Sequence, residues 1–163
     1  MLSQLDESNS DIRPEDVDLA DAATEGIESL ALKAKKQNVA LVVSGEGTLS
    51  ANRSQIVELF YNLIDNAIKY NKLGGKVTVE IGASQKQAKI TVSDTGIGIP
   101  VEAQSRVFER FYRVDKSRSK KTGGTGLGLA IVKHIVMAYE GTIELDSSVG
   151  RGTSIAVVLK AMH

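Results

Sequence analysis

The chain has no cysteine, and only two histidines, His134 and His163, in 163 residues. Without thiols there is no disulfide and no thiol chemistry, and two imidazoles are too few for a multi-histidine metal centre. It also has no net charge, because 20 lysines and arginines balance 20 aspartates and glutamates. That balance gives no pull toward nucleic acid or an anionic membrane. No apolar run approaches membrane-spanning length, and the N-terminus lacks the basic-then-apolar pattern of a signal peptide. The expectation is therefore a cytoplasmic chain without direct membrane contact. What is present is ordinary for a globular protein, at 42% hydrophobic and 25% charged residues. The length suits one domain that buries about two-thirds of its unfolded surface.

Residues 1–14 are polar and read as a linker, with the folded domain expected over 15–163. Leu19 to Lys36 carries an apolar stripe at helical spacing: Leu19, Ala22, Ala23, Ile27, Leu30, Ala31 and Ala34. Val39 to Val43 reads as a strand, and Gly45 to Gly47 as a turn. Ser50 or Asn52 can cap a helix that runs to about Asn71 and stops at Gly74-Gly75. Lys76 to Ile81 and Ala88 to Ser93 alternate as paired strands. Ile97 to Thr125 reads mostly as loop, with a short helix around Glu102 to Phe108. A helix from Leu127 to Tyr139 and strands at Thr142 to Asp146 and Thr153 to Leu159 follow. This mixture predicts a two-layer α/β sandwich, a mixed β-sheet covered on one face by three main helices.

Four short segments carry chemistry. In Glu58-Leu-Phe-Tyr-Asn62-Leu-Ile-Asp-Asn66-Ala-Ile-Lys69-Tyr70, Asn62 and Asn66 stand one helical turn apart, on the arc opposite the apolar face. A solvated polar face is one reading. Against it, asparagine is a poor helix former, and its carbonyl oxygen is a hard ligand of the kind Mg²⁺ accepts. Lys69 adds a cation for phosphate, and Tyr70 a ring for a base. In Asp94-Thr-Gly96-Ile-Gly98-Ile-Pro100, strand alternation points Asp94 the same way as Ile90 and Val92, into the apolar layer. A buried carboxylate needs a donor, which the exocyclic amine of adenine can supply. A turn aspartate bonding the backbone of Thr95 or Gly96 is the other reading. Gly96 and Gly98 would let backbone approach a flat ligand.

Phe108-Glu-Arg-Phe111-Tyr-Arg113 opens a basic stretch that continues through Lys116, Arg118, Lys120 and Lys121. It is either a solvated charged loop or a lid over phosphates, expected at about 99–125. Gly124-Thr-Gly126-Leu-Gly128-Leu leads into a helix, whose N-terminal amides and dipole attract phosphate. Neither glycine cluster matches a dinucleotide fingerprint or a P-loop.

In order and spacing, these segments resemble the asparagine box, first glycine box, phenylalanine box and second glycine box of bacterial sensor histidine kinases. The resemblance covers about Arg13 to Leu159. It implies the Bergerat-type ATP-binding fold shared with DNA gyrase, the mismatch-repair ATPases and ATP-dependent heat-shock chaperones. It further implies that Asn66 binds Mg²⁺, Lys69 and Arg113 reach the phosphates, and Tyr70 and Asp94 hold adenine. Gly96, Gly98 and Ile99 would line the base. Gly124, Thr125, Gly126, Leu127 and Gly128 would follow the phosphate chain, and Thr153 would sit near adenine. Hydrolysing relatives carry a glutamate where this chain has Asn62, and an amide cannot act as a general base. The resemblance thus implies Asn62, Lys69 and Arg113 as the catalytic residues of a kinase that hardly hydrolyses ATP.

Tyr139-Glu140-Gly141 departs from a common His-Gly-Gly, and Ser154-Ile155 from a frequent Thr-Phe pattern after Thr153. No phospho-acceptor histidine precedes the motifs. In the family it lies on a separate dimerisation domain, and Met1-Leu-Ser-Gln-Leu-Asp6 resembles that domain's last helical turn. The expectation is therefore a monomeric fragment of a homodimeric kinase, the parent with or without an anchor in the inner membrane. Its partners would be the dimerisation and histidine-phosphotransfer domain and, downstream, a response-regulator receiver domain. A nucleotide-sensing module without phosphotransfer is the alternative. A hydrolysing ATPase and an anti-sigma-type serine kinase are disfavoured by Asn62.

Overall fold

The computed structural model describes residues 13–110, 112 and 127–162. Along them, β1 (Glu15–Asp18) leads into α1 (Leu19–Gln37), β2 (Ala40–Gly45), β3 (Thr48–Ala51) and α2 (Arg53–Lys69). Then come β4 (Lys76–Ala83), β5 (Gln87–Asp94), α3 (Val101–Gln104), α4 (Gly128–Ala138), β6 (Thr142–Ser148) and β7 (Gly152–Lys160). Five strands form one sheet in the order β2-β4-β5-β7-β6. Only the β2–β4 pair is parallel, so the sheet is mixed.

Strand alternation builds the core. Val77, Val79 and Ile81 of β4, Ala88, Ile90 and Val92 of β5, and Ile155, Val157 and Leu159 of β7 are buried, while the residues between them are more exposed. Against that face lie the apolar stripes of α1, α2 and α4, with Leu30, Ile56, Leu59, Phe60, Leu63 and Val132 sealed from solvent. This is the two-layer sandwich with three main helices expected from the sequence.

Helix α2 runs between α1 and α4 and is flanked by both. Its N-terminus is capped by Asn52, whose side-chain oxygen accepts from the Gln55 N–H at 3.0 Å, while Ser50 lies in β3. Tyr139, at the end of α4, ties this corner shut. Its hydroxyl donates to Gln55 Oε1 at 2.7 Å and accepts from the Asn52 N–H at 2.9 Å. Tyr139→Phe leaves that N–H and the Gln55 oxygen without this partner. The expected cost is about 1–2 kcal/mol, or about 3–6 °C in melting temperature, measured by calorimetry.

The structure departs from the expected elements in three places. A two-stranded antiparallel sheet, β1 with β3, was not foreseen; it buries Val17 against Leu49 at the foot of α1. The helix expected at Glu102 to Phe108 is shorter and earlier, at Val101–Gln104. After it, N–H to C=O bonds Arg106 to Ala103 and Glu109 to Arg106 continue as tight turns. Ala31 is exposed, and Gly26 takes a place in the buried stripe of α1.

Candidate functional site

A cleft of about 310 Å³ opens between α2, the end of β5 and the start of α4. It gathers Asn62, Asn66, Lys69, Tyr70, Asp94, Gly98, Ile99, Leu127, Gly128 and Thr153, residues singled out in three separate segments and one distant strand. Phe111, Arg113, Gly124, Thr125 and Gly126, with the cations Lys116, Arg118, Lys120 and Lys121, lie outside the described residues.

Asp94 is placed by sheet register. It ends β5 directly opposite Thr153 of β7. Its Oδ1 accepts from the Gly96 N–H at 2.9 Å and from the Thr153 N–H at 3.2 Å. Oδ2 accepts no hydrogen bond among the described residues, and the side chain forms part of the cleft wall. Burial of this carboxylate raises its pKa to about 6, against the two backbone bonds that lower it. The turn contact to Gly96 is therefore present, made by one oxygen, while the other faces the cleft without a hydrogen-bond partner among the described residues.

The glycines work differently from the expectation. Gly96 is buried and is not among the cleft-lining residues; a Cβ there would collide with the Tyr70 carbonyl. Gly98 has φ +78°, and a Cβ would collide with the Ser148 carbonyl. Their smallness lets the loop pack on the protein's own backbone, which fixes Asp94. Ser147 is a positioning residue that sequence reading missed. Its hydroxyl accepts from the Ile99 N–H at 2.8 Å and lies 2.8 Å from the Thr153 hydroxyl, tying the loop to β7. A serine in an alternating strand carries no signal of this.

The amide helix shows a second difference. Helical spacing puts Asn62 and Asp65 on the polar arc, yet both are buried, because α1 and α4 cover the flanks of α2. Asn62 Nδ2 donates to the Glu58 carbonyl at 2.8 Å, and a Cβ built at Gly128 would stand 3.4 Å from its Oδ1. The start of α4 is thus held against this turn of α2, and no side chain among the described residues caps that helix end. Asn66, half-buried one turn on, makes no side-chain hydrogen bond among the described residues and lines the cleft. Its hard oxygen fits a Mg²⁺ that keeps several waters and phosphate ligands. No group of three or more acidic, histidine or cysteine side chains stands ready to cage a metal among the described residues.

Asp65 sits between two lysines. Its Oδ2 is 2.9 Å from Lys69 Nζ and its Oδ1 3.2 Å from Lys33 Nζ. Partial burial lowers the Lys33 pKa, but the Asp65 charge and hydrogen bond, with the Tyr61 hydroxyl, more than reverse this and hold it raised. Lys33, Tyr61, Val107 and Tyr112 also line the cleft and were not foreseen. Arg106 stacks over the Tyr112 ring at 4.6 Å. Phe108 is half-buried and is not among the cleft-lining residues. No helix among the described residues is long and apolar enough to cross a membrane.

Residues 51–163 match the family model of the histidine kinase-, DNA gyrase B- and HSP90-like ATPases. The sensor histidine kinase RppB of Synechocystis is 43% identical over 142 residues, covering 87% of this chain and 31% of that protein. The chain thus spans about a third of the length of RppB. Among solved structures, the mycobacterial sensor histidine kinase MprB superposes with a TM-score of 0.77 at 30% identity. That match covers 90% of this chain and 98% of the other. Full-length ShkA in complex with AMPPNP gives a TM-score of 0.76 at 25% identity, over 92% of this chain and 32% of that one. The chain belongs to the histidine kinase-, DNA gyrase B- and HSP90-like ATPase family, as an ATP-binding catalytic domain of the sensor histidine kinase type.

Proposed function

We propose that this domain binds Mg-ATP and donates the γ-phosphate to a histidine on a separate dimerisation and histidine-phosphotransfer domain, with a response-regulator receiver domain downstream. The observation that carries the reading is Asp94. A carboxylate fixed by two backbone N–H groups, with its other oxygen unpaired in a cleft among the described residues, calls for a ligand donor. The adenine amine is that donor. The AMPPNP complex of ShkA supports an adenine nucleotide as the ligand of this fold.

Tyr70, Gly98, Ile99 and Thr153 surround the adenine side, and Gly96 acts through its bond to Asp94. Lys69, Leu127 and Gly128 attend the phosphates, the role that the motif resemblance also implies for Arg113, Gly124, Thr125 and Gly126. Asn66 holds Mg²⁺, which supplies charge neutralisation on the phosphates when bound. Phosphoryl transfer asks a protein mainly for positioning and neutralisation. The site works where ATP is, in the cytoplasm, whether or not the parent is anchored in a membrane. The parent is a homodimer, and neither nucleic acid nor lipid is a partner.

Asn62 explains why the nucleotide would persist until an imidazole arrives. Its amide nitrogen is committed to the Glu58 carbonyl, and an amide is no general base. The chain alone is expected to bind ATP and ADP with Mg²⁺, to release almost no phosphate, and not to label itself. His134 is exposed on α4 and does not line the cleft. Incubation with labelled ATP and a separately made dimerisation domain should place acid-labile phosphate on that domain's histidine. Steady phosphate release at the rate of a dedicated ATPase, or stable label on His134, would overturn the reading.

A further inference from the structure

Helix α1 contributes none of the motif residues, yet Lys33 is part of the cleft wall. Packing brings it there. Gly26 lies buried against α2, where even a Cβ would stand only 3.4 Å from the Tyr61 nitrogen and 3.5 Å from Phe60 Cβ. Two turns further along α1, Lys33 Nζ reaches Asp65 Oδ1 at 3.2 Å, while Lys69 Nζ holds Oδ2 at 2.9 Å. The side chains of Asp65 and Lys69 are only 12% and 18% exposed, so water screens this pair poorly; Lys33, on the other carboxylate oxygen, is 49% exposed.

Two ammonium groups sharing one carboxylate leave a single net positive charge. Remove Lys33, and Asp65 and Lys69 become a closed neutral pair. We propose that Lys33 is a specificity-determining residue for the terminal phosphate: by taking one oxygen of Asp65 it leaves a net charge beside Lys69, and so favours ATP over ADP. The inference rests on the reading of the cleft as an ATP site with Lys69 at the phosphates. Lys33 is a positioning residue acting through Asp65, and the extra phosphate of ATP senses the charge it leaves.

The test is calorimetric titration of the full chain with ADP and with AMPPNP, both with Mg²⁺. Lys33→Met is expected to lower the AMPPNP/ADP affinity ratio about 3- to 10-fold with ADP affinity little changed, and the loss should shrink at high salt. Lys33→Arg keeps the charge and should keep the ratio. Asp65→Asn leaves two uncompensated cations and should raise the ratio. The combination Lys33→Met with Asp65→Asn restores one net positive charge and should return the ratio to near wild type, a rescue that a merely structural ion pair does not give. An unchanged ratio in Lys33→Met, or a double variant no better than the single, overturns the inference and leaves the ATP site standing. Failure of the wild-type chain to bind either nucleotide overturns the ATP reading itself, and this inference with it.

Discussion

Asp94→Asn is expected to weaken binding of AMPPNP about 10- to 150-fold while making the nucleotide-free domain more stable. The substitution keeps the shape and the Oδ1 contacts to Gly96 and Thr153, but puts an N–H₂ donor where the free oxygen faced the cleft. Losing a charge-assisted bond to the adenine amine, and setting donor against donor, costs about 1.5–3 kcal/mol. Without nucleotide, the wild-type carboxylate is a partly buried charge, and that burial, against two backbone bonds that lower it, raises its pKa to about 6. A raised carboxylate pKa means that the folded state binds the proton more tightly than the unfolded state. This group's contribution to stability is therefore best below the unfolded value near 3.8, and falls as pH rises through about 6. The amide removes that liability, and about 1 kcal/mol of relief is about 2–4 °C in melting temperature at neutral pH.

Nucleotide affinity should run the other way with pH. The adenine amine pairs with the carboxylate form, so wild-type affinity should rise as pH climbs through about 6 and then level, whereas Asp94→Asn should be flat. Calorimetric titration between pH 5 and 8, a range spanning that pKa, measures both effects. An unchanged dissociation constant in Asp94→Asn would mean that the residue only shapes the turn.

Residues whose signal is periodic were legible in the sequence, and residues whose placement depends on a neighbouring element were not. The stripe on α2 is visible as spacing, and so is the asparagine cap that begins it, because both act within one helix. Asp94 could be aimed from alternation alone, since a strand has only two faces. Burial of Asn62 and Asp65 could not be read, because it depends on how closely α1 and α4 flank α2. The β1–β3 pair was invisible for a related reason. Glu15–Asp18 contains a single apolar residue, Val17, and gains meaning only opposite Leu49.

The glycines teach the same lesson with the sign changed. Spacing points Gly96 and Gly98 at a flat ligand, whereas the group packed against each is the chain's own carbonyl, at Tyr70 and at Ser148. Lys33 is the furthest from legible. One lysine among several on the polar side of a helix becomes part of a cleft only through a helix crossing at Gly26.

Asn66→Ala is expected to lower phosphotransfer to a separately made dimerisation domain by about 10²- to 10³-fold, and to shift the Mg²⁺ dependence of ATP binding to much higher Mg²⁺. The argument is the contrast between two amides one turn apart. Asn62 is buried and spends its nitrogen on the Glu58 carbonyl, so Asn62→Ala should act chiefly on stability, by about 1 kcal/mol. Asn66 is half-buried in the cleft wall and spends its side chain on nothing among the described residues, so its removal should barely change stability. Its value lies in holding the metal that neutralises the phosphates, an effect of several kcal/mol at about 1.4 kcal/mol per tenfold in rate. Raising Mg²⁺ to tens of times its usual level should recover part of the lost rate, because the site is weakened and its remaining ligands are phosphate and water. Thermal melts without nucleotide, read beside transfer rates over a Mg²⁺ titration, separate the two amides. Should Asn66→Ala melt several degrees lower and respond to Mg²⁺ at the wild-type concentration, while Asn62→Ala needs far more Mg²⁺, the metal belongs to the other turn of the helix.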